Sequence, residues 1–225
     1  MPELPDITVY LDALEARILD APLVGVRLKS PFLLRTVQPK PLDTVGRTVT
    51  GLRRIGKRIA IGFDNDIWFV FHLMIAGRLQ WKPVGAKIGA KSDLPAFDFP
   101  AGTLTLTEAG SKKRAALHIV EGAAALNALD PGGIEALDCT LDIVRAALTA
   151  ANHTVKRALT DPRIFSGIGN VYSDETLHRA RVSPIVQTQK MPEEAIPGCT
   201  AQRRRRWRTG PKNYAAKRAT GLPKK

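Results

Sequence analysis

Apolar residues recur every three or four positions between residues 6 and 19. They are Ile7, Tyr10, Leu11, Leu14 and Ile18, with Asp12, Glu15 and Arg17 between them. That period gathers them on one side of a helix, which would dock on a core and hold the residues before it in place. From residue 24 to about 120 the pattern turns to short β-runs: 24–28, 49–55, 58–63, 67–73 and the alternating Thr103-Leu104-Thr105-Leu106-Thr107. Asp64-Asn65-Asp66 has the short polar residues of a hairpin turn between two of these runs. Residues 83–100, rich in Gly, Lys and Pro, read as a long exposed loop. Past Glu121 the period becomes helical, over 123–129, 141–151, 153–160 and 170–180. Asp130-Pro131-Gly132-Gly133 and the loop at 166–169 interrupt it. The fold class expected is α+β: an N-terminal helix plus a two-sheet β-sandwich over residues 1–121, then an incomplete helical domain over 122–194. Over residues 195–225 periodicity disappears and no regular structure is expected.

A chain of 225 residues suffices for one large or two small domains with a proper core. Cys139 and Cys199 are too few and too far apart for a disulfide framework, which suits a reducing cytoplasm. No apolar stretch approaches the roughly 18–20 residues of a membrane span, and no signal peptide opens the chain. The net charge is +13, but ten of the 34 Lys and Arg residues lie after residue 194, where there is no Asp or Glu. The body keeps 24 basic against 21 acidic residues, so basicity is largely a property of the tail. Such a tail binds polyanions by counterion release without reading sequence.

The chain begins Met1-Pro2-Glu3-Leu4-Pro5. Pro2 permits removal of Met1, leaving a secondary amine that can attack carbon and form an iminium. Glu3 is a carboxylate able to shuttle a proton for that step. Two more segments carry chemistry. One is Arg53-Arg54-Ile55-Gly56-Lys57-Arg58, followed by Ile67-Trp68-Phe69-Val70-Phe71-His72-Leu73 and Gly77-Arg78-Leu79. The other is Asp161-Pro162-Arg163-Ile164-Phe165-Ser166-Gly167-Ile168-Gly169-Asn170-Val171-Tyr172. With the N-terminal Pro-Glu, and in this order over residues 1–190, they resemble the formamidopyrimidine-DNA glycosylase / endonuclease VIII family of base-excision repair enzymes.

The resemblance implies a helix–two-turn–helix DNA-binding domain and a bifunctional DNA glycosylase and abasic-site lyase acting on oxidised bases, with Pro2 as nucleophile, Glu3 as acid–base residue and Lys57 as a phosphate-contacting catalytic lysine. Arg54, with Arg53 and Arg58, would form a basic cluster for the DNA backbone. Gly167 and Gly169 would bring backbone N–H groups close to a phosphate at a helix start, and Asn170 would cap that helix and donate to DNA. Lys156, with Arg157, is a candidate phosphate contact. Either Met74 or Ile75 would fill the space of an extruded base. Arg114 takes the strand-opposing role if the register of Ala109-Gly110-Ser111-Lys112-Lys113-Arg114 permits, because this loop departs from the family's Asp-Pro-Arg-Arg-Phe. The expected partner is damaged double-stranded DNA, bound by a monomer in a bacterial-type, nucleoid-associated cytoplasm.

Most members of that family end in a zinc finger with two C-x2-C pairs, and this sequence has two cysteines in all. A four-thiolate site is therefore not expected, nor any other cofactor. His72, His118, His153 and His178 have no metal-ligand spacing. The resemblance fades near residues 189–194, before Arg203-Arg204-Arg205-Arg206-Trp207-Arg208, which is the pattern expected of a truncated or frame-shifted member. Two other functions remain open: a DNA-binding remnant that grips without aligning the sugar, and a structural RNA-binding protein. The second leaves Pro2-Glu3 and the β-rich half without a role.

Overall fold

The computed structural model describes residues 1–135 and 138–192. Helix α1 (Leu4–Ile18) forms where the apolar period requires it, starting two residues before the expected position. Pro5 in the first turn has a fixed φ suited to a helix start, and the Glu3 N–H donates to Asp6 Oδ2 at 2.9 Å. Eight strands follow: β1 (Gly25–Leu28), β2 (Val49–Ile55), β3 (Arg58–Phe63), β4 (Ile67–His72), β5 (Gly77–Lys82), β6 (Asp93–Phe99), β7 (Gly102–Glu108) and β8 (Ala116–Glu121). They form two antiparallel sheets of order β1-β6-β7-β5 and β2-β3-β4-β8. The polar turn expected at Asp64-Asn65-Asp66 joins β3 to β4, with the Asp66 N–H donating to Phe63 O at 3.1 Å.

The core of this half lies between the sheets and under α1. Phe97 of the first sheet meets Phe69 and Phe71 of the second at ring-centroid separations of 5.5 and 5.4 Å. Ile7, Leu14 and Ile18 of α1 are fully buried in the same cluster. Strand β6 corrects the expectation of a loop over 83–100. It is an inner strand, and Leu94, Phe97 and Phe99 point into the core. Pro95 hides it from sequence reading: proline donates no ladder hydrogen bond, and it sits at an irregularity in the β6–β7 register between Asp93 and Ala96.

Helix α2 (Gly122–Asn127) covers the outer face of the second sheet, burying Leu126 against Ile55, Ala60 and Val70. Helices α3 (Leu141–Thr149), α4 (Val155–Thr160) and α5 (Asn170–Ala180) build a second core. Thr140 and Thr154 cap α3 and α4 with their hydroxyls. Leu4, the first residue of α1, belongs to this second core with Val155, Phe165, Ile168 and Leu177. The start of the chain is thus seated where the β-rich and helical parts meet. Among the described residues no helix is long and apolar enough to cross a membrane. The basic tail and the expected break in reading frame concern residues 193–225, outside those described.

Strand register sets what the sandwich presents at one end. Arg58, His72 and Ala116 lie abreast on β3, β4 and β8, and Gly77 lies opposite Glu108 on β5 and β7. The β2–β3 hairpin tip at Lys57, the turn at 73–76 and the loop at 109–115 therefore project from the same end.

Candidate active site

Pro2 is buried and Glu3 is 2 % exposed, yet the Glu3 carboxylate has three backbone donors. Its Oε2 accepts from the backbone N–H groups of Gly169 at 2.9 Å and Tyr172 at 3.1 Å, and its Oε1 from that of Val171 at 2.9 Å. These are free donors of the first turn of α5, so the carboxylate sits on the positive end of the helix. A carboxylate has about four accepting positions. Three are filled, and Oε1 has capacity to spare. The Leu4 N–H donates to Gly167 O at 3.0 Å, so two consecutive residues pin the N-terminus to the 166–172 turn.

The same turn receives Lys57. Gly56 adopts φ +57, which a two-residue hairpin with a positive first φ needs, and Lys57 then projects so that Nζ donates to Ile168 O at 2.8 Å. Burial holds the Lys57 amine below the ordinary lysine range, and the Glu3 carboxylate pulls it the other way. Glu3 and Leu4 at the start of the chain and Lys57 of the β2–β3 hairpin, far apart in sequence, meet on one backbone turn, with Pro2 next to Glu3.

Gly167 and Gly169 have a use that sequence did not suggest. A Cβ at Gly169 would lie 2.6 Å from Glu3 Cδ and Oε1. One at Gly167, where φ is +80, would lie 2.8 Å from Leu4 Cβ. The glycines admit the protein's own N-terminus, and the anion at the α5 start is Glu3. The N-cap of α5 is Gly169, not Asn170, which corrects the capping role expected of Asn170. Asn170 is the exposed first residue of the helix, beside the N–H groups that hold Glu3.

Arg54 also departs from expectation. Its guanidinium is half-buried, donates to Gly56 O at 2.9 Å and Ser166 Oγ at 3.1 Å, and pairs with Glu135. It joins the β-hairpin to the helical part. Arg58 donates to Leu129 O, and Arg53 lies over the Trp68 ring at 5.8 Å. Lys156 is paired with Asp174 at 2.5 Å on an exposed face. At the sandwich end, Ile75 is 60 % exposed at the tip of its turn, while Met74, at φ +54, is half-buried. Of the two, Ile75 is the more exposed. The Arg114 side chain is exposed on the neighbouring loop.

His72 has no metal-ligand spacing in the sequence, and its position in the fold gives it a different character. Desolvation, then Arg58, Lys57 and His118, push its pKa down to about 4, so the folded protein holds it neutral beside Lys57. The folded value is below the unfolded one. The stability this contributes is therefore present above about pH 6.5 and lost as pH falls towards 4. Urea midpoints should drop across that window, and His72→Asn should flatten the drop; an unchanged pH profile in that variant would contradict the assignment. A four-thiolate zinc site does not fit this chain. Of its two cysteines, Cys139 donates its thiol to Glu135 O at 2.9 Å, and Cys199 lies outside the described residues.

Comparison with known proteins places these features. Residues 1–119 match the formamidopyrimidine-DNA glycosylase N-terminal domain, and residues 129–202 match the H2TH domain of the same glycosylase. The formamidopyrimidine-DNA glycosylase of Roseiflexus sp. is 32% identical over 190 residues, covering 82% of this chain and 69% of that protein. That of Mycoplasma genitalium is 29% identical over 191 residues, covering 82% and 66%. The chain thus spans roughly two thirds of the length of these relatives. The fold is that of Lactococcus lactis Fpg bound to abasic-site DNA, at a TM-score of 0.84, 21% identity and coverage of 93% of this chain and 78% of that one. It is equally that of MutM in complex with carbocyclic 8-oxo-G DNA, at 0.84, 20%, 94% and 80%.

Proposed function

Because this chain belongs to the formamidopyrimidine-DNA glycosylase family, we propose that it excises damaged bases from double-stranded DNA and then cleaves the abasic site. The observation that carries the proposal is the meeting of Lys57 with Glu3, the residue next to Pro2, on the 166–172 turn. Once Met1 is removed, the Pro2 nitrogen attacks C1′ of the extruded nucleotide. The bond from C1′ to the base breaks and the base leaves with its electron pair and a proton. The sugar ring opens, O4′ takes a proton, and C1′ is left in an iminium with Pro2. The positive nitrogen acidifies the C2′ proton; its removal sends electrons into the iminium and expels the 3′ phosphate by β-elimination. Hydrolysis then frees the amine.

Glu3 is the group that moves these protons, through the Oε1 position its backbone donors leave open. Lys57 supplies a cation beside the reacting sugar and its phosphate. Asn170 offers an exposed side-chain amide next to the same turn, and Ile75 fills the gap left by the extruded base.

Incubating the purified protein with a duplex that carries an abasic site, with and without borohydride, tests this reading. Strand incision and a borohydride-dependent covalent band are expected. Binding without either would leave a DNA-binding remnant in place of an enzyme.

A further inference from the structure

Over residues 83–115 charges of opposite sign are sorted by depth. The three carboxylates are turned inward. Asp93 is 4 % exposed and accepts from the Gly89 and Ala90 N–H groups at 3.0 and 2.9 Å. Asp98 is held by Arg27 and the Thr103 hydroxyl, both at 2.7 Å. Glu108 is 2 % exposed and accepts from the N–H groups of Arg114 at 2.9 Å and Ala115 at 3.1 Å. The five cations of the same stretch, Lys87, Lys91, Lys112, Lys113 and Arg114, are all exposed.

These cations are also held in register. The Glu108 N–H donates to Ser92 O at 2.8 Å, so Glu108 ties the end of the 83–92 loop to the 109–115 loop. Each loop is anchored through its backbone to a buried carboxylate, and Lys113 donates back to Glu108 O, which leaves Lys91 and Lys112 as the exposed lysines nearest the tie. Like charges on loops tied to one another repel, a cost that a polyanion removes. The location narrows the partner. Strand pairing runs from Lys57 beside β3 through β4 to the Ile75 turn, then across β5 to β7 and β6, where Lys112 and Lys91 stand. Adjacent strands are about 4.8 Å apart, so Lys91 lies on the order of 10 Å beyond the strand that leaves the Ile75 turn. That is within the width of one duplex.

We propose that Lys91 and Lys112 grip the phosphate backbone of the strand opposite the one that reacts at Pro2, a role that rests on the glycosylase reading above. Phosphates are the partner because ammonium groups exposed on two loops that are tied together match a repeating anion.

The test is equilibrium binding of the full chain to a duplex bearing an abasic-site analogue, measured against salt. Lys91→Ala/Lys112→Ala should make the slope of log K against log salt shallower by about 1.8, or about 0.9 for each phosphate that the protein no longer neutralises. Neutral methylphosphonates in the unlesioned strand should lower the wild-type slope and erase the difference between wild type and variant. An unchanged slope in the variant overturns the proposal, as does a difference erased only by methylphosphonates in the lesion strand. Borohydride trapping on an abasic duplex separates the two claims. A protein that forms no adduct, yet loses slope through the unlesioned strand, loses the catalytic reading and keeps this one.

Discussion

Gly169→Ala is expected to abolish most of the activity while leaving the β-sandwich folded. The added methyl would stand 2.6 Å from Glu3 Cδ and Oε1 and 2.9 Å from Cγ, well inside contact distance. Glu3 follows directly on Pro2 and is 2 % exposed, so solvent offers it little room to move into. Displacing it strips the α5 start of its anion and leaves the N–H groups of Gly169, Val171 and Tyr172 without their acceptor. Buried donors left unpaired cost about 1–3 kcal/mol each, and partial relaxation brings the net loss to roughly 2–4 kcal/mol. Loss of a positioned acid–base group should slow abasic-site incision by about 100-fold or more. Gly89→Ala is the control, because a Cβ there meets nothing within 4 Å. Thermal unfolding and single-turnover incision would read both effects. A Gly169→Ala protein with wild-type rates would show that the Glu3 seat is not needed for the chemistry.

Much of this arrangement is legible in the sequence, and the remainder fails for identifiable reasons. The run 6–19 announces α1, and strands β2 and β3 lie at the bounds that their patterns set, with apolar residues facing the sandwich core on one side and α2 on the other. Strand β6 reads as loop because Pro95 and the preceding Gly-Lys stretch outweigh Leu94, Phe97 and Phe99 in a local window. At the site, Pro2, Glu3, Lys57 and the Gly-Ile-Gly-Asn turn stand out as chemistry, but not as parts that touch one another. The glycines read as room for a phosphate, whereas the atoms nearest their missing side chains are those of Leu4 and Glu3. Arg54 reads as a surface cation, and only the fold brings Glu135 and Ser166 to it. Such pairings span long stretches of chain, and no local period encodes them.

Replacing Pro2 should have the largest effect of all. Pro2→Gly retains a removable Met1 and so a free amine, but substitutes a primary, more mobile amine for one held by a ring beside Glu3. Covalent trapping on an abasic duplex should fall by about 100-fold or more, since positioning of the nucleophile contributes that much and more to such steps. Binding of the same duplex should stay within a few-fold, because Asn170 and Lys57 are untouched. Equal losses in binding and trapping would mean that Pro2 acts only as a structural lead-in to α1.

The mechanism turns on which nitrogen forms the bond. The chain has another amine at the same turn, Lys57 Nζ, which burial holds below the usual lysine range. The decisive measurement is the mass of the modified peptide after borohydride trapping on an abasic duplex, proteolysis and fragmentation. Expected is an N-terminal peptide that begins at Pro2, lacks Met1 and carries the reduced sugar on its terminal nitrogen. An adduct on Lys57, or a reacted chain that still begins with Met1, would contradict attack by Pro2.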